Sequence, residues 1–168
     1  MKIKILLAIL VIFLSGEYMS AQKFGYLNST ELLSIHPYVK GADSILVLYQ
    51  NQLMSEGQKL VDSFQKSYEE YVKEANSGNL SKIQMQEREN QLGLEQNKIR
   101  DYETEMQKKV LQKREELYKP ILDNIQNAIN AIGKENNYTF IFDSGTGGLL
   151  FANTADNILQ LVKTKLGI

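Results

Sequence analysis

The stretch that decides the fold runs from Ala42 to Ala75, ADSILVLYQNQLMSEGQKLVDSFQKSYEEYVKEA, with Asn76-Ser77-Gly78-Asn79 directly after it. Ala42, Leu46, Tyr49, Leu53, Gly57, Leu60, Phe64, Tyr68, Tyr71 and Ala75 follow one another at steps of three or four residues. Side chains at that spacing share one face of an α-helix. Every position in the series except Gly57 is apolar or aromatic, so the face is a seam that needs a partner. The pattern returns every 11 residues, at Ala42, Leu53, Phe64 and Ala75. A repeat of about 3.67 residues per turn favours a straight or slightly right-handed supercoil. Residues 76–79 are turn formers at each position and end the helix.

The partner is found by moving outward. A second helix is expected from roughly Leu80 to Asn136. Its first part is polar, with Glu87, Arg88, Glu89 and Asn90, and then a seam runs Ile99, Tyr102, Met106, Val110, Lys113, Leu117, Ile121, Ile125, Ala128 and Ile132. Two long helices joined by a four-residue turn fold back as an antiparallel coiled-coil hairpin. An ascending arm of about 38 residues reaches roughly 57 Å. Pro120 lies inside the descending helix, lacks a backbone donor and is expected to bend it.

The flanks change period. Lys23-Phe24-Gly25-Tyr26-Leu27 reads as a strand. Asn28 and Glu31 read as a capping box for a short helix with Leu32, Leu33 and Ile35, interrupted by His36-Pro37. After the hairpin, residues 138–142 and 148–151 read as two strands joined by Ser144-Gly145-Thr146-Gly147. Asp156 is expected to cap a last helix carrying Ile158, Leu159, Val162 and Leu166, ended by Gly167. The fold class is therefore α+β: a small β-sheet body (strand-helix, then strand-strand-helix) with a long helical hairpin inserted. The body takes residues 22–37 and 137–168, and the arm residues 38–136 with its turn at 76–79. A body this small buries little surface and leaves open sheet edges, so oligomerisation is expected without its order being fixed.

The first residues are set apart from this plan. Lys2 and Lys4 precede an apolar run from Ile5 to Leu14, and small or polar residues lead to Ser20-Ala21-Gln22. That order is a secretory signal peptide over residues 1–21, with cleavage expected after Ala21. Its apolar run is too short to span a roughly 30 Å bilayer core. Cysteine is absent, which excludes a disulfide framework and a lipid-modified cysteine. From Gln22 on there are 17 basic and 19 acidic residues, a net charge of −2 that gives no support for nucleic-acid binding.

Reaction chemistry finds no foothold. The single histidine, His36, has no second histidine or cysteine to share a metal, and no triad around it. Gly145-Thr146-Gly147-Gly148 is followed by neither Lys-Ser/Thr nor a helix, so it reads as a turn and not a phosphate loop. Glu69-Glu70 and Glu115-Glu116 lie among lysines on solvated helix faces. No catalytic residue, metal ligand or cofactor is expected.

Over nearly all of residues 22–168, and most specifically toward its ends, the chain resembles the Skp/OmpH family of periplasmic chaperones. The resemblance is carried by Lys23-Phe24-Gly25-Tyr26-Leu27-Asn28, His36-Pro37-Tyr38, Tyr118-Lys119-Pro120-Ile121, the stretch 128–138, and Phe140-Ile141-Phe142-Asp143 leading to Gly148-Leu149-Leu150. It implies a homotrimer shaped like a jellyfish, with a β-barrel-like body and three helical arms around a cavity. It also implies that unfolded β-barrel outer-membrane proteins are held there in the periplasm without ATP. Membrane contact is compatible with this, integral insertion after cleavage is not. Phe24, Tyr26, Phe140, Phe142 and Phe151 are the expected oligomerisation core. The best-known members are strongly basic and this chain is slightly acidic, so apolar contacts are expected to carry more of the holding.

Val47, Met54, Val61 and Val72 lie just beside the first seam, and Met85 and Leu94 add similar groups on the other arm. The stripe is wider than a two-helix seam requires. These residues either pack one arm on another or face clients, for which Met54, Val61, Val72, Met85 and Leu94 are the candidates. The rival function is a structural coiled-coil spacer or adaptor of the envelope. A spacer needs stiff arms, and the polar stretch Ser81 to Asn90 with Gly57 and Gly93 leans toward flexible ones.

Overall fold

The computed structural model describes residues 22–168; residues 1–21, read above as a signal peptide, lie outside the described residues. In chain order the elements are β1 (Phe24–Leu27), α1 (Ser29–Ile35), α2 (Pro37–Asn76), α3 (Lys82–Glu135), β2 (Phe140–Asp143) and α4 (Leu159–Leu166). Two 3-10 turns, Ser144–Thr146 and Thr154–Asp156, lie between β2 and α4.

Local chemistry sets the boundaries. The Asn28 side chain accepts from Glu31 N–H and starts α1. His36 is extended and Pro37 opens α2 at its first turn, where a missing N–H costs nothing. Ser81 and Gln84 form a reciprocal capping box on α3. Helical structure continues across Pro120. Gly78 and Gly167 adopt left-handed φ, 72° and 74°, at the ends of α2 and α4.

β1 and β2 pair in parallel, with Phe24 opposite Phe140 and Tyr26 opposite Phe142. The residues between these, Gly25, Leu27 and Ile141, turn to the inside. Gly25 is required there: a Cβ would stand 2.9 Å from Tyr138 Cε1 and 3.1 Å from Ile158 Cγ2. The core beneath joins Leu27 and Leu32 to Ala42, Ile121, Ile125 and Ile132 of the arm's root and to Ile158 and Val162. Burial of each Leu, Ile or Val side chain among these contributes about 1.5–3 kcal/mol. The body and the root of the hairpin therefore share one core.

Two expectations at the C-terminal end are corrected. Residues 148–151 form no strand. The far edge of β1 is taken instead by Asn157, which bridges to Tyr26, and by Ile158 N–H, which donates to Tyr26 O at 2.9 Å. That leaves a two-stranded sheet. Without a partner Gly148–Phe151 stays irregular, and Leu150 and Phe151 are 96% and 88% exposed. Asp156 does not cap the last helix; it sits in the second 3-10 turn, and Asn157 Oδ1 accepts from Leu159 N–H at 2.9 Å.

The cross-contacts of the arm run in reverse order. Tyr118 O–H donates to Asp43, Tyr102 O–H to Leu53 O at 2.9 Å, Ser67 O–H to Glu95 at 3.4 Å and Tyr71 O–H to Glu89 at 2.7 Å. Arg88 pairs with Glu74 at 3.2 Å. Early residues of α2 thus meet late residues of α3, and the two helices lie against each other in opposite directions.

The seam departs from the sequence pattern in its outer half. Tyr68 is 51% exposed and Ser67 is half-buried in its place. Half-buried positions on α3 recur at 85, 88, 92, 95, 99, 102 and 106. Alternate steps of three and four give the 3.5-residue repeat that a left-handed supercoil follows, not the 11-residue one. Gly57, read as a source of flexibility, instead receives the Tyr102 ring: a Cβ there would lie 3.2 Å from Tyr102 Cε1.

Candidate functional site

Two surfaces stand out, one on the body and one on the arm. Strand alternation puts Phe24, Tyr26, Phe140 and Phe142 on the outer face of the sheet. Phe24 stacks on Phe140 with centroids 6.0 Å apart, and Phe142 stands 6.3 Å from Phe24 and 6.2 Å from Phe140. All three rings are exposed, Phe140 by 56%, while Tyr26 is half-buried. An exposed apolar cluster beside an unpaired strand edge marks an interaction surface. The structure brings four of the five expected core residues together on this face, and Phe151 stands on the irregular segment beyond the loop.

That loop is tied down by one carboxylate. Asp143 accepts from Ser29 O–H at 2.5 Å, Ser29 N–H at 3.0 Å and Gly145 N–H at 2.8 Å. The Ser29 hydroxyl, helped by the two backbone N–H groups and opposed by burial, holds the Asp143 carboxyl below its ordinary value.

On the arm, Met54, Val61 and Val72 share one stripe of α2, since steps of 7 and 11 residues return to nearly the same angle. Met54 is 54% exposed, and Val61 and Val72 are just over a third exposed. Leu94, at 65%, is exposed on α3. Met85 is placed differently: it is half-buried in the seam series.

Met54 opens into a groove of about 520 Å³, which Gln50, Met106, Gln107, Val110 and Leu111 also line. Met106 and Val110 were legible as seam residues only. Leu111 stands one residue past Val110 just as Met54 stands one past Leu53, so the rule that found Met54 also reaches it. Thioether and aliphatic walls with two amide rims, and no charge in the lining, suit loose contact with varied apolar chains.

His36 is buried at the joint between α1 and α2, 1% exposed, with its ring 5.6 Å from that of Tyr38. Its backbone N–H donates to Leu33 O and its carbonyl accepts from Val39 N–H, so it is part of the joint. Among the described residues no group of three or more His, Asp and Glu side chains is placed to hold a metal. No helix among them is long and apolar enough to cross a membrane.

Three comparisons bear on this arrangement. A family model described as outer membrane protein (OmpH-like) matches residues 23–166. Among solved structures, a protein from Caulobacter crescentus CB15 proposed to be an outer membrane chaperone (OmpH-like) superposes with a TM-score of 0.72. The match covers 88% of this chain and 85% of that one at 13% identity, and so is a likeness of fold. No curated protein matches the chain.

Proposed function

This chain belongs to the OmpH-like family, and we propose that it is an ATP-independent holding chaperone for unfolded envelope proteins. One observation carries the reading: large apolar side chains stand exposed along both helices of an arm that needs only a narrow seam to hold itself together. Met54, Leu94 and Leu111 are each more than half exposed. The OmpH-like fold and the chaperone proposal attached to its Caulobacter relative support it.

In this reading the mature chain is periplasmic after loss of residues 1–21. Three copies assemble through Phe24, Tyr26, Phe140, Phe142 and the segment ending at Phe151, which finds on a neighbouring copy the strand partner it lacks in its own. The arms then surround an unfolded β-barrel outer-membrane protein, and Met54, Val61, Val72, Leu94 and the groove at Met106–Leu111 touch it, while Met85 serves the seam. Apolar burial at about 25 cal/mol per Å² supplies the affinity and is not screened by salt. With a net charge near −2, long-range attraction adds little.

The test is suppression of aggregation of a urea-unfolded β-barrel membrane protein. Wild type is expected to hold it with little change from low to moderate salt. Changing Met54, Val61, Val72 and Leu94 together to Ser is expected to weaken holding while the oligomer persists. A steep loss with salt and an unaffected quadruple variant would shift the role to charge patches on the arms. No suppression at all would leave the spacer reading in its place.

A further inference from the structure

Half-buried positions on the outer part of α3 run Met85, Arg88, Leu92, Glu95, Ile99 and Tyr102. Glu95 therefore occupies a place in the seam where the repeat calls for an apolar side chain. Its two hydrogen bonds, from Ser67 O–H at 3.4 Å and Gln91 N–H at 3.3 Å, are long and both end on Oε1. Oε2 is buried from solvent and meets no donor. The neighbouring seam charge, Arg88, is taken by Glu74 at 3.2 Å, and among the described residues no cation pairs with Glu95.

A carboxylate oxygen shut off from water with neither donor nor counter-charge disfavours the closed state of whatever buries it. Opening the helices around it returns it to solvent. The apolar layers near the root carry no such term. Leu46 and Leu53 are 4% and 3% exposed, and Tyr102 ties the helices there by donating to Leu53 O and Glu56.

We propose that Glu95 is a built-in weak layer that sets where the arm opens, so that the two helices part from Ser67 outward while the root stays closed. The use of that opening, an arm end that adjusts to clients of different girth, rests on the holding function proposed above; the opening itself does not.

The test is backbone hydrogen exchange on the full mature protein without client, comparing wild type with Glu95→Leu, Glu95→Gln and Ser67→Ala. Glu95→Leu is expected to slow exchange about tenfold or more at residues 64–71 and 92–99 and to leave residues near Leu53 and Ile121 unchanged. Glu95→Gln, neutral but polar, is expected to slow it less. Ser67→Ala removes one of the two donors and is expected to speed it. Unchanged or faster outer exchange in Glu95→Leu, or slowing spread evenly along the arm, overturns the proposal. Client holding, measured separately on the same variants, tells a failed weak layer from a failed holding function.

Discussion

Near the body, Leu46 and Leu53 of α2 and Ile121 and Ile125 of α3 are buried to within a few per cent. Farther out on the same two helices Phe64 and Tyr71 are only half-buried, Tyr68 faces solvent, and Glu74, Arg88, Glu89 and Glu95 make the cross-contacts. The root joins a core that both chain ends help to build, and the outer arm has only itself to pack on. The difference teaches that one continuous pair of helices can carry two grades of stability, set by what else the seam touches.

The sharpest way to break this contrast is to empty a layer in each half. Leu53→Ala is expected to cost about 2–4 kcal/mol, and Phe64→Ala, half-buried and free to relax, about half as much. Urea unfolding followed by probes in each half measures both, and equal costs would erase the distinction.

Next comes the tie between helices at the boundary. Tyr102→Phe removes the donor to Leu53 O and Glu56 and is expected to cost about 1 kcal/mol. Burial first, and the hydrogen bond to Glu56 second, push the Tyr102 hydroxyl above its ordinary value, so the contact is expected to survive mildly alkaline conditions.

Within the body, Asp143 supplies a pH test. Its carboxyl is held below the ordinary value, so its contribution is complete above the unfolded value of about 3.9 and is lost as pH falls through the folded value. Acid is expected to release the loop at Gly145 below about pH 4, and Asp143→Asn to weaken the body by about 1 kcal/mol at neutral pH and flatten that dependence. Thermal melting across pH 3–7 measures it.

The smallest effect compares two glycines of the arm. Gly93 has nothing within 4 Å of a would-be Cβ, so Gly93→Ala is expected to stabilise the outer arm by about 0.8–1 kcal/mol through helix propensity alone. Gly57→Ala meets the Tyr102 ring at 3.2 Å and is expected to fall short of that gain. Equal gains in the same melting series would mean that the ring moves freely.

The helices, their turn and the buried layers of the root were legible because periodicity reports which face is covered. The spacing put Gly57 in the seam, but that its gap is filled by the Tyr102 ring was not legible, since the register between the two helices is not written in either one. Residues 148–151 misled for a related reason. Their apolar run Leu149-Leu150-Phe151 resembles a strand, but the chain leaves β2 through the 3-10 turn Ser144–Thr146 and not through a hairpin, and Asn157 and Ile158 take the edge beside β1. Of the arm surface, Met54 and Leu94 could be found as off-seam groups. The groove at Met54 depends on how two helices lie side by side, which brings Met106 and Leu111 to it across some fifty residues of chain.

The parallel pairing of β1 with β2 also fixes an order of events in time. Phe24 meets Phe140 only after the whole hairpin has been made and delivered, and closing so long a loop in an unstructured chain is slow. Zipping α2 onto α3 from their short turn brings residues 37 and 135 near each other by local steps and removes most of that search. The arm thus acts as the guide for its own body: β1, the first strand to emerge, has to wait for residues 140–157 before it is matched.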